Sequence, residues 1–126
     1  MGWYSVGVIY TLEITLSNGE SCTAGSYYEV DDNHTFDPNK KITKVECIIH
    51  KDEWCILRMN FYSGQETLVR LGDRDDWIKE YGGRVEIFEI AADEQLIGAE
   101  LYHGYYDNND CDYLRGVTWL KCKIAK

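Results

Sequence analysis

The chain holds a single proline, Pro38, in 126 residues. With no low-complexity tract either, nothing in it reads as a linker. The length is that of one domain, 1–126, with a core large enough to fold without disulfide staples. Basic residues are also scarce: 13 Lys and Arg against 22 Asp and Glu leave a formal charge of −9. A phosphate backbone would be repelled, so nucleic acid is not an expected partner. No Lys/Arg cluster offers a seat for an anionic membrane surface. No apolar run approaches the roughly 20 residues of a membrane span. The N-terminus lacks the basic start and apolar run of a signal peptide. The three histidines, His34, His50 and His103, show no zinc spacing, and the five cysteines form no CxxC pair. An odd cysteine count cannot pair fully within one chain. Reduced thiols and a cytoplasmic rather than secreted setting are therefore expected, with a Cys111–Cys122 disulfide as the one alternative.

Aromatic residues are abundant. Ten Tyr and four Trp bring the aromatic share to 13%. Such rings pack one face and keep a polar atom for hydrogen bonding, which suits a sheet surface, a core or a sugar-stacking platform.

Strand and turn signals run almost throughout. In Val8 to Leu16, Tyr10, Leu12, Ile14 and Leu16 alternate with polar residues, the pattern of a half-buried strand. Ser17-Asn18-Gly19-Glu20 is a hairpin signal, because Asn-Gly readily takes positive φ, and Ser21 to Tyr28 returns. Asp31 to His34 reads as a polar loop. Ile42 to His50 is a strand with Val45, Cys47 and Ile49 on one face, and Lys51-Asp52-Glu53 turns the chain. Trp54 to Tyr62 and Thr67 to Leu71 flank a turn at Ser63-Gly64-Gln65. Asp73 to Tyr81 is the one stretch that admits a helical turn, ended by Gly82-Gly83. Arg84 to Ile90, Gln95 to Tyr102 and Tyr113 to Ile124 are further strands. Cys22, Cys47, Cys55 and Cys122 all fall in expected strands, where a free thiol behaves as a small hydrophobe. Eight or nine short strands with glycine turns indicate an all-β, antiparallel sandwich, barrel or prism.

The richest segment is the last third. Gln95 to Gly104 leads into an acidic loop, Asp107 to Asp112, and returns through Tyr113 to Lys121. Loops of Asn, Asp and Tyr on a rigid sheet are suited to binding. Asn108, Asp110 and Asp112 could accept or donate to vicinal hydroxyls in pairs, and Tyr113 could stack on a sugar's apolar face. The same oxygen-rich loop makes Ca²⁺ a secondary candidate cofactor, although it has neither the central Gly nor the terminal Glu of an EF-hand loop. The acidic neighbours of Cys111 would raise its pKa and so disfavour a catalytic thiol. Candidate carboxylate pairs for glycoside hydrolysis are too numerous to be specific. The expectation is a non-catalytic protein without a required cofactor.

Four segments together resemble the jacalin-related lectins. Ile9 to Gly25 is similar to the family strand that leads to a tight turn and a glycine. Lys41-Ile42-Thr43-Lys44-Val45-Glu46 is similar to its "EYITKVEG" strand, and Ile56 to Gly72 to its following hairpin. In Arg84 to Ile124, Phe88, Leu96-Ile97-Gly98, His103-Gly104, Asp112-Tyr113-Leu114 and Gly116-Val117 follow the order of the family's terminal motif. The resemblance spans roughly residues 8 to 124. It implies an antiparallel β-prism of three sheets, with a β-sandwich as the alternative, and carbohydrate binding without catalysis. It also implies that the Lys51–Trp54 turn lies beside the terminal loop. That completes a candidate site of Asp52, Glu53, Trp54, Asn108, Asp110, Asp112, Tyr113 and Leu114. The partners would be glycans or glycoproteins. Weak single sites gain avidity by repetition, so a homodimer or higher homo-oligomer is expected. One departure matters: the family's Gly-x-x-x-Asp sugar loop is not intact, because Cys111 stands at the Gly position and Arg115 at the Asp position. The competing expectation is an interaction or structural module that has lost its sugar site.

Overall fold

A computed structural model describes residues 1–6, 8–15, 19, 21–24, 32–37, 39–52, 55–72, 75–106 and 111–123, some strand ends by their backbone alone. Ten strands and one helix follow in the order β1 (Gly2–Val6), β2 (Val8–Thr15), β3 (Ser21–Ala24), β4 (Asp32–Asn33), β5 (Lys44–His50), β6 (Ile56–Ser63), β7 (Glu66–Leu71), α1 (Asp75–Tyr81), β8 (Gly82–Glu89), β9 (Glu94–Tyr106) and β10 (Cys111–Lys123). The strands form three sheets, ordered β3-β2-β1-β4, β7-β6-β5-β8 and β10-β9. Every pairing is antiparallel.

All three sheets contribute to one core. Ile9 and Leu12 come from β2, Leu114 from β10, and Val45, Cys47, Ile49, Ile56, Met59, Phe61 and Leu71 from the sheet of β5 to β8. The expected Val45, Cys47, Ile49 face of β5 is buried. Phe61 anchors the centre, its ring 5.4 Å from Phe36 and 5.5 Å, edge to face, from Trp119. Helix α1 lies over the opposite face of the same sheet. There Trp77, Ile78 and Tyr81 pack on the buried Cys55 and Leu57. The helix starts with Asp75 and Asp76 and carries Lys79 in its last turn, the charge order its dipole favours. It falls inside the one stretch where the sequence admits a helix.

Several departures from simple alternation have a common cause. In β2, Ile9 and Leu12 are both fully buried although three residues apart. The pairing with β1 skips Tyr10, so a β-bulge there shifts the parity and replaces the continuous Tyr10–Leu12–Ile14 face expected. In β6 a bulge at Leu57 sends that side chain to the helix face while Ile56 and Met59 face the core. Strand β1 itself lies in a segment the alternation did not mark. It sits between β2 and β4, and Asp32–Asn33, expected to be loop, pairs with it as β4.

Two glycines with positive φ do what the turns require. Gly19 (φ 92°) lies in the β2–β3 connection and Gly64 (φ 59°) in the β6–β7 hairpin, as the Asn-Gly and Ser-Gly signals anticipated. Cys47 and Cys122 are free thiols in strands, and Cys55, also free, immediately precedes β6 rather than lying within it. A Cys111–Cys122 disulfide is ruled out. The two residues are the first and next-to-last of one strand, roughly 36 Å apart at about 3.3 Å per residue, against a Cα separation of about 4.4–6.8 Å in real disulfides. Among the described residues no helix is long and apolar enough to cross a membrane.

Candidate binding site

The β9–β10 hairpin is longer than its sequence pattern indicated. β9 continues past Tyr102 to Tyr106, and β10 begins at Cys111, so Cys111 and Asp112 belong to the strand rather than the acidic loop. This leaves only 107–110 as the connection, and Asn108 and Asp110 lie outside the described residues. So do Glu53 and Trp54 of the β5–β6 turn. Asp112 and Tyr113 are placed by their backbone, opposite Tyr105 and Gly104. Leu114 is fully buried, which makes its side chain part of the core and leaves only its backbone for a ligand.

Of this set, Asp52 follows the end of β5 that borders a cleft, and Asp112, Tyr113 and Leu114 immediately precede Arg115 of β10, which borders the same cleft. β5 and β10 run in opposite directions along a shared cleft. At one end Lys121 lies over Phe88 and donates to the Glu89 carbonyl. At the other end Ile49, Ile56, Arg115 and Gly116 line one cavity. The chain leaves β5 into the Lys51 turn at this second end, and β10 arrives there from residues 107–110.

His50, at the end of β5, shapes this turn. It is nearly buried and stacks on Tyr81, with ring centroids 5.6 Å apart. The Asp52 backbone N–H donates to His50 Nδ1 at 3.0 Å. Burial holds the His50 pKa below its ordinary value, opposed by the carboxylate of Asp52. Asp52 itself points outward, its side chain 73% exposed. Gly83 fits closely against the turn, since a Cβ there would run into the backbone of Lys51. The first residues of β8 and the Lys51 turn are therefore held as one piece.

The cleft between β8 and β10 is the concave feature at this site. One part, of about 440 Å³, is lined by Val45, Glu86, Phe88, Val117 and Trp119 among others. A second part, of about 470 Å³, is lined by Ile49, Arg84, Glu86, Tyr102, Arg115 and Gly116 among others. Both parts share Cys47, Glu86, Val117 and Thr118, so they form one continuous trough. Its floor is apolar and its rim polar, the usual build of a small-ligand site, and each part falls within the usual range of about 300–1,000 Å³. Cys47 on the floor is an inert thiol: burial first, then Glu86, push its pKa up to about 12.

Arg115 owes its place to a bulge. Leu114 pairs with His103 and Gly116 with Tyr102, so Arg115 is the extra residue. Bulges re-aim side chains, and here the Leu114 side chain enters the core while Arg115 is exposed on the cleft wall. Sequence reading noticed Arg115 only as a departure from a motif. It did not select Arg84, Tyr102 or Thr118. Their parity in β8, β9 and β10 puts them on strand faces, but only the packing of two sheets shows that those faces meet.

Beyond the opposite end, lysines tie the segment after β8 to its surroundings. Lys41 Nζ donates to the carbonyls of Ala91 and Ala92 at 2.7 and 2.9 Å, and Lys121 Nζ bonds Glu94 at 2.9 Å. Among the residues whose side chains are described, no group of three or more His, Cys, Asp or Glu could hold a metal ion. No protein-family model matches this chain, and no curated protein or solved structure matches it significantly.

Proposed function

We propose that the protein is a non-catalytic carbohydrate-binding domain, its three sheets arranged as a β-prism like that of the jacalin-related lectins. The observation that supports it is a trough with an apolar floor and polar rim, whose end lined by Ile49, Arg115 and Gly116 lies where β5 runs on into the Lys51–Asp52 turn and four residues from the start of β10. A sugar presents one apolar face and a ring of hydroxyls, which such a surface complements. Asp52 and Asp112, with Glu53, Trp54, Asn108, Asp110 and Tyr113 from the adjoining segments, would supply hydrogen bonds and a stacking face. The backbone of Leu114 would add an amide and a carbonyl. Because the resemblance's Gly and Asp positions are Cys111 and Arg115, hexose binding here would not follow that family's usual loop pattern. Ca²⁺ would enter only through 107–110 and its neighbours. Weak sites of this kind would act through a homo-oligomer.

The test is a glycan-array screen of the purified protein with and without Ca²⁺, repeated with Asp52→Ala, Asp110→Ala and Asp112→Ala. Binding that these substitutions abolish would establish the site. Silence across mannose, galactose and complex glycans would count decisively against it.

A second reading, an interaction module, draws on a different feature. Val85 and Ile87 of the edge strand β8 are 50% and 54% exposed. Two β-branched side chains on an edge that pairs with no further strand among the described residues are an invitation to another chain.

A further inference from the structure

We infer that the free edge of β8 takes an extended, basic peptide as an added strand, its alternate side chains entering the trough. This inference rests on the interaction reading above, names its partner, and is independent of the carbohydrate reading. Three observations carry it.

The first is the direction of the backbone, which the Glu89–Ile90 peptide group fixes. Its N–H, from Ile90, donates to the Thr43 carbonyl at 2.9 Å, on the side of β5. Its carbonyl, from Glu89, accepts Lys121 Nζ at 3.0 Å on the other side. The register with β5 is unbroken from Val85 to Glu89. Backbone groups alternate in direction along a strand, so those of Val85 and Ile87 point away from β5, as those of Glu89 do. Among the described residues no strand takes them. Lys121 of β10 shows that this edge accepts a donor, and by holding the Glu89 carbonyl it limits an added strand to a short ladder at Val85 and Ile87.

The second is the shape of the trough. β5 contributes alternate residues to it, Val45 and Cys47, whereas β8 contributes Glu86, Ile87 and Phe88 in a row, and β10 Val117, Thr118 and Trp119 in a row. Alternate residues are the face of a strand, and consecutive ones are its edge. The trough is therefore a slot between two strand edges over an apolar floor. A strand added to β8 would send every second side chain into this cavity of about 440 Å³, against Val45, Phe88, Val117 and Trp119. The others would lie beside the exposed Val85 and Ile87. In strand addition main-chain hydrogen bonds supply affinity, and pockets for alternate side chains supply specificity.

The third is charge. The chain carries −9. Strands β8, β9 and β10, which line the trough, hold five carboxylates, Glu100 and Asp112 among them, against four cations, and Asp52 follows β5 at the same end. Two of those cations, Arg84 and Lys121, are already ion-paired with Glu86 and Glu94. The acidic excess of the chain is thus not reversed along this edge. Lysine or arginine in the partner offsets it, and an acidic strand is repelled.

The experiment is an NMR titration of the full chain, following backbone amides and their exchange with solvent. The probes are a short, end-blocked peptide of alternating lysine and valine, its glutamate–valine counterpart, and the first peptide N-methylated throughout. The lysine peptide is expected to slow exchange of the Val85 and Ile87 amides at least about tenfold at saturation, and to leave Glu86 and Phe88, which already face β5, unchanged. The glutamate peptide should bind about tenfold more weakly or worse, and the N-methylated one not at all. Ile87→Pro removes an outward N–H that the β5 ladder does not use, so the native spectrum should persist while binding is lost. Ile87→Lys, which changes an exposed side chain only, should weaken the lysine peptide about tenfold by like-charge repulsion. Binding that survives in Ile87→Pro, or that the N-methylated peptide reproduces, would overturn strand addition. Equal binding of the glutamate peptide at the same amides would overturn the basic partner and leave the interaction reading standing. No protection of Val85 and Ile87 by either peptide would overturn both, without touching the carbohydrate reading, which the glycan screen decides.

Discussion

Strands β6 and β8 belong to one sheet and have similar alternating sequences, yet their environments are opposite. Ile56 to Phe61 of β6 are buried without exception, including Arg58 and Asn60, whereas Gly83 to Ile87 of β8 are exposed. The difference comes from position. β6 lies between β5 and β7 and is covered on one face by the core and on the other by α1 and a polar network. In that network Arg58 Nε donates to the Gly72 carbonyl at 2.7 Å and its other arm reaches Asp75 at 2.6 Å. Asn60 is held by Glu46 and by Arg70, both at 3.0 Å. No buried side-chain polar atom among the described residues is left unpartnered. β8 has β5 on one side and the trough on the other. Stability resides in the first strand, and the polar groups available to a ligand line the second.

The comparison breaks most sharply at Phe61. Removing a fully buried aromatic ring that meets Phe36 and Trp119 forfeits its transfer energy and leaves a cavity. Phe61→Ala should cost roughly 3–5 kcal/mol in urea unfolding followed by circular dichroism. A loss below about 1.5 kcal/mol would mean that β6 is not the anchor described.

Gly72 extends the point to the backbone. It sits at φ 83°, and a Cβ there would run into the Leu57 carbonyl of β6, whereas the same atom at Gly64 (φ 59°) meets open space. Gly64→Ala therefore pays only for the left-handed conformation, about 1 kcal/mol, and Gly72→Ala at least about twice that. Thermal melts of the two variants should rank in that order. Equal losses would show that the contact with β6 is not tight.

Acid should loosen the sheet end nearest the candidate site. His50 has a folded-state pKa below its ordinary 6.5, chiefly because it is buried, so the unfolded chain binds its proton more readily. The sign follows: this residue costs nothing well above pH 6.5, and folding stability falls as pH drops through and below 6.5. Its Nδ1 already accepts the Asp52 amide, which protonation would forbid. Urea midpoints at pH 7.5 and 5.5 should differ less in His50→Gln than in the parent. Glu94 has the opposite charge but the same sign. The Ala91 amide, then Lys121, hold its pKa below the usual 4.5, so its contribution is lost only in more acidic solution. An unchanged pH slope in His50→Gln would remove His50 as the cause.

The sequence disclosed most strands because alternation is a direct record of one-sided burial. Val45, Cys47 and Ile49 are the clearest case, and the Asn18-Gly19 and Gly64 turns are nearly as clear. The helix was legible because Gly82-Gly83 had to end it. What the sequence hid were the bulges at Tyr10, Leu57 and Arg115, since an inserted residue looks like noise in a period-2 pattern. Arg58 and Asn60 were hidden as well, because polar letters in a strand read as solvent-facing when a helix or a neighbouring carboxylate in fact covers them. The candidate site was half legible. Asp112 was named from the composition of the acidic segment and Asp52 only from the family resemblance, while Arg84 and Arg115 line one cavity only when two sheets close on a cleft.

Ile87 is the smallest and most discriminating probe of the contrast. Its side chain is 54% exposed on the outer face of β8, opposite Glu46 of β5. Truncating it removes little buried area, so Ile87→Ala should change stability by no more than about 0.5 kcal/mol, against several for Phe61→Ala. The measurement is best made at two protein concentrations tenfold or more apart. A small loss that does not depend on concentration keeps β8 as an open wall facing the trough. A loss above about 2 kcal/mol that grows with concentration in the parent would mean that a second copy covers this edge in solution, because burial across an interface stabilises in proportion to the population of the assembly. In that case Ile87→Lys should shift the elution of the protein to a smaller species, and the interaction reading would gain where the carbohydrate reading stands now.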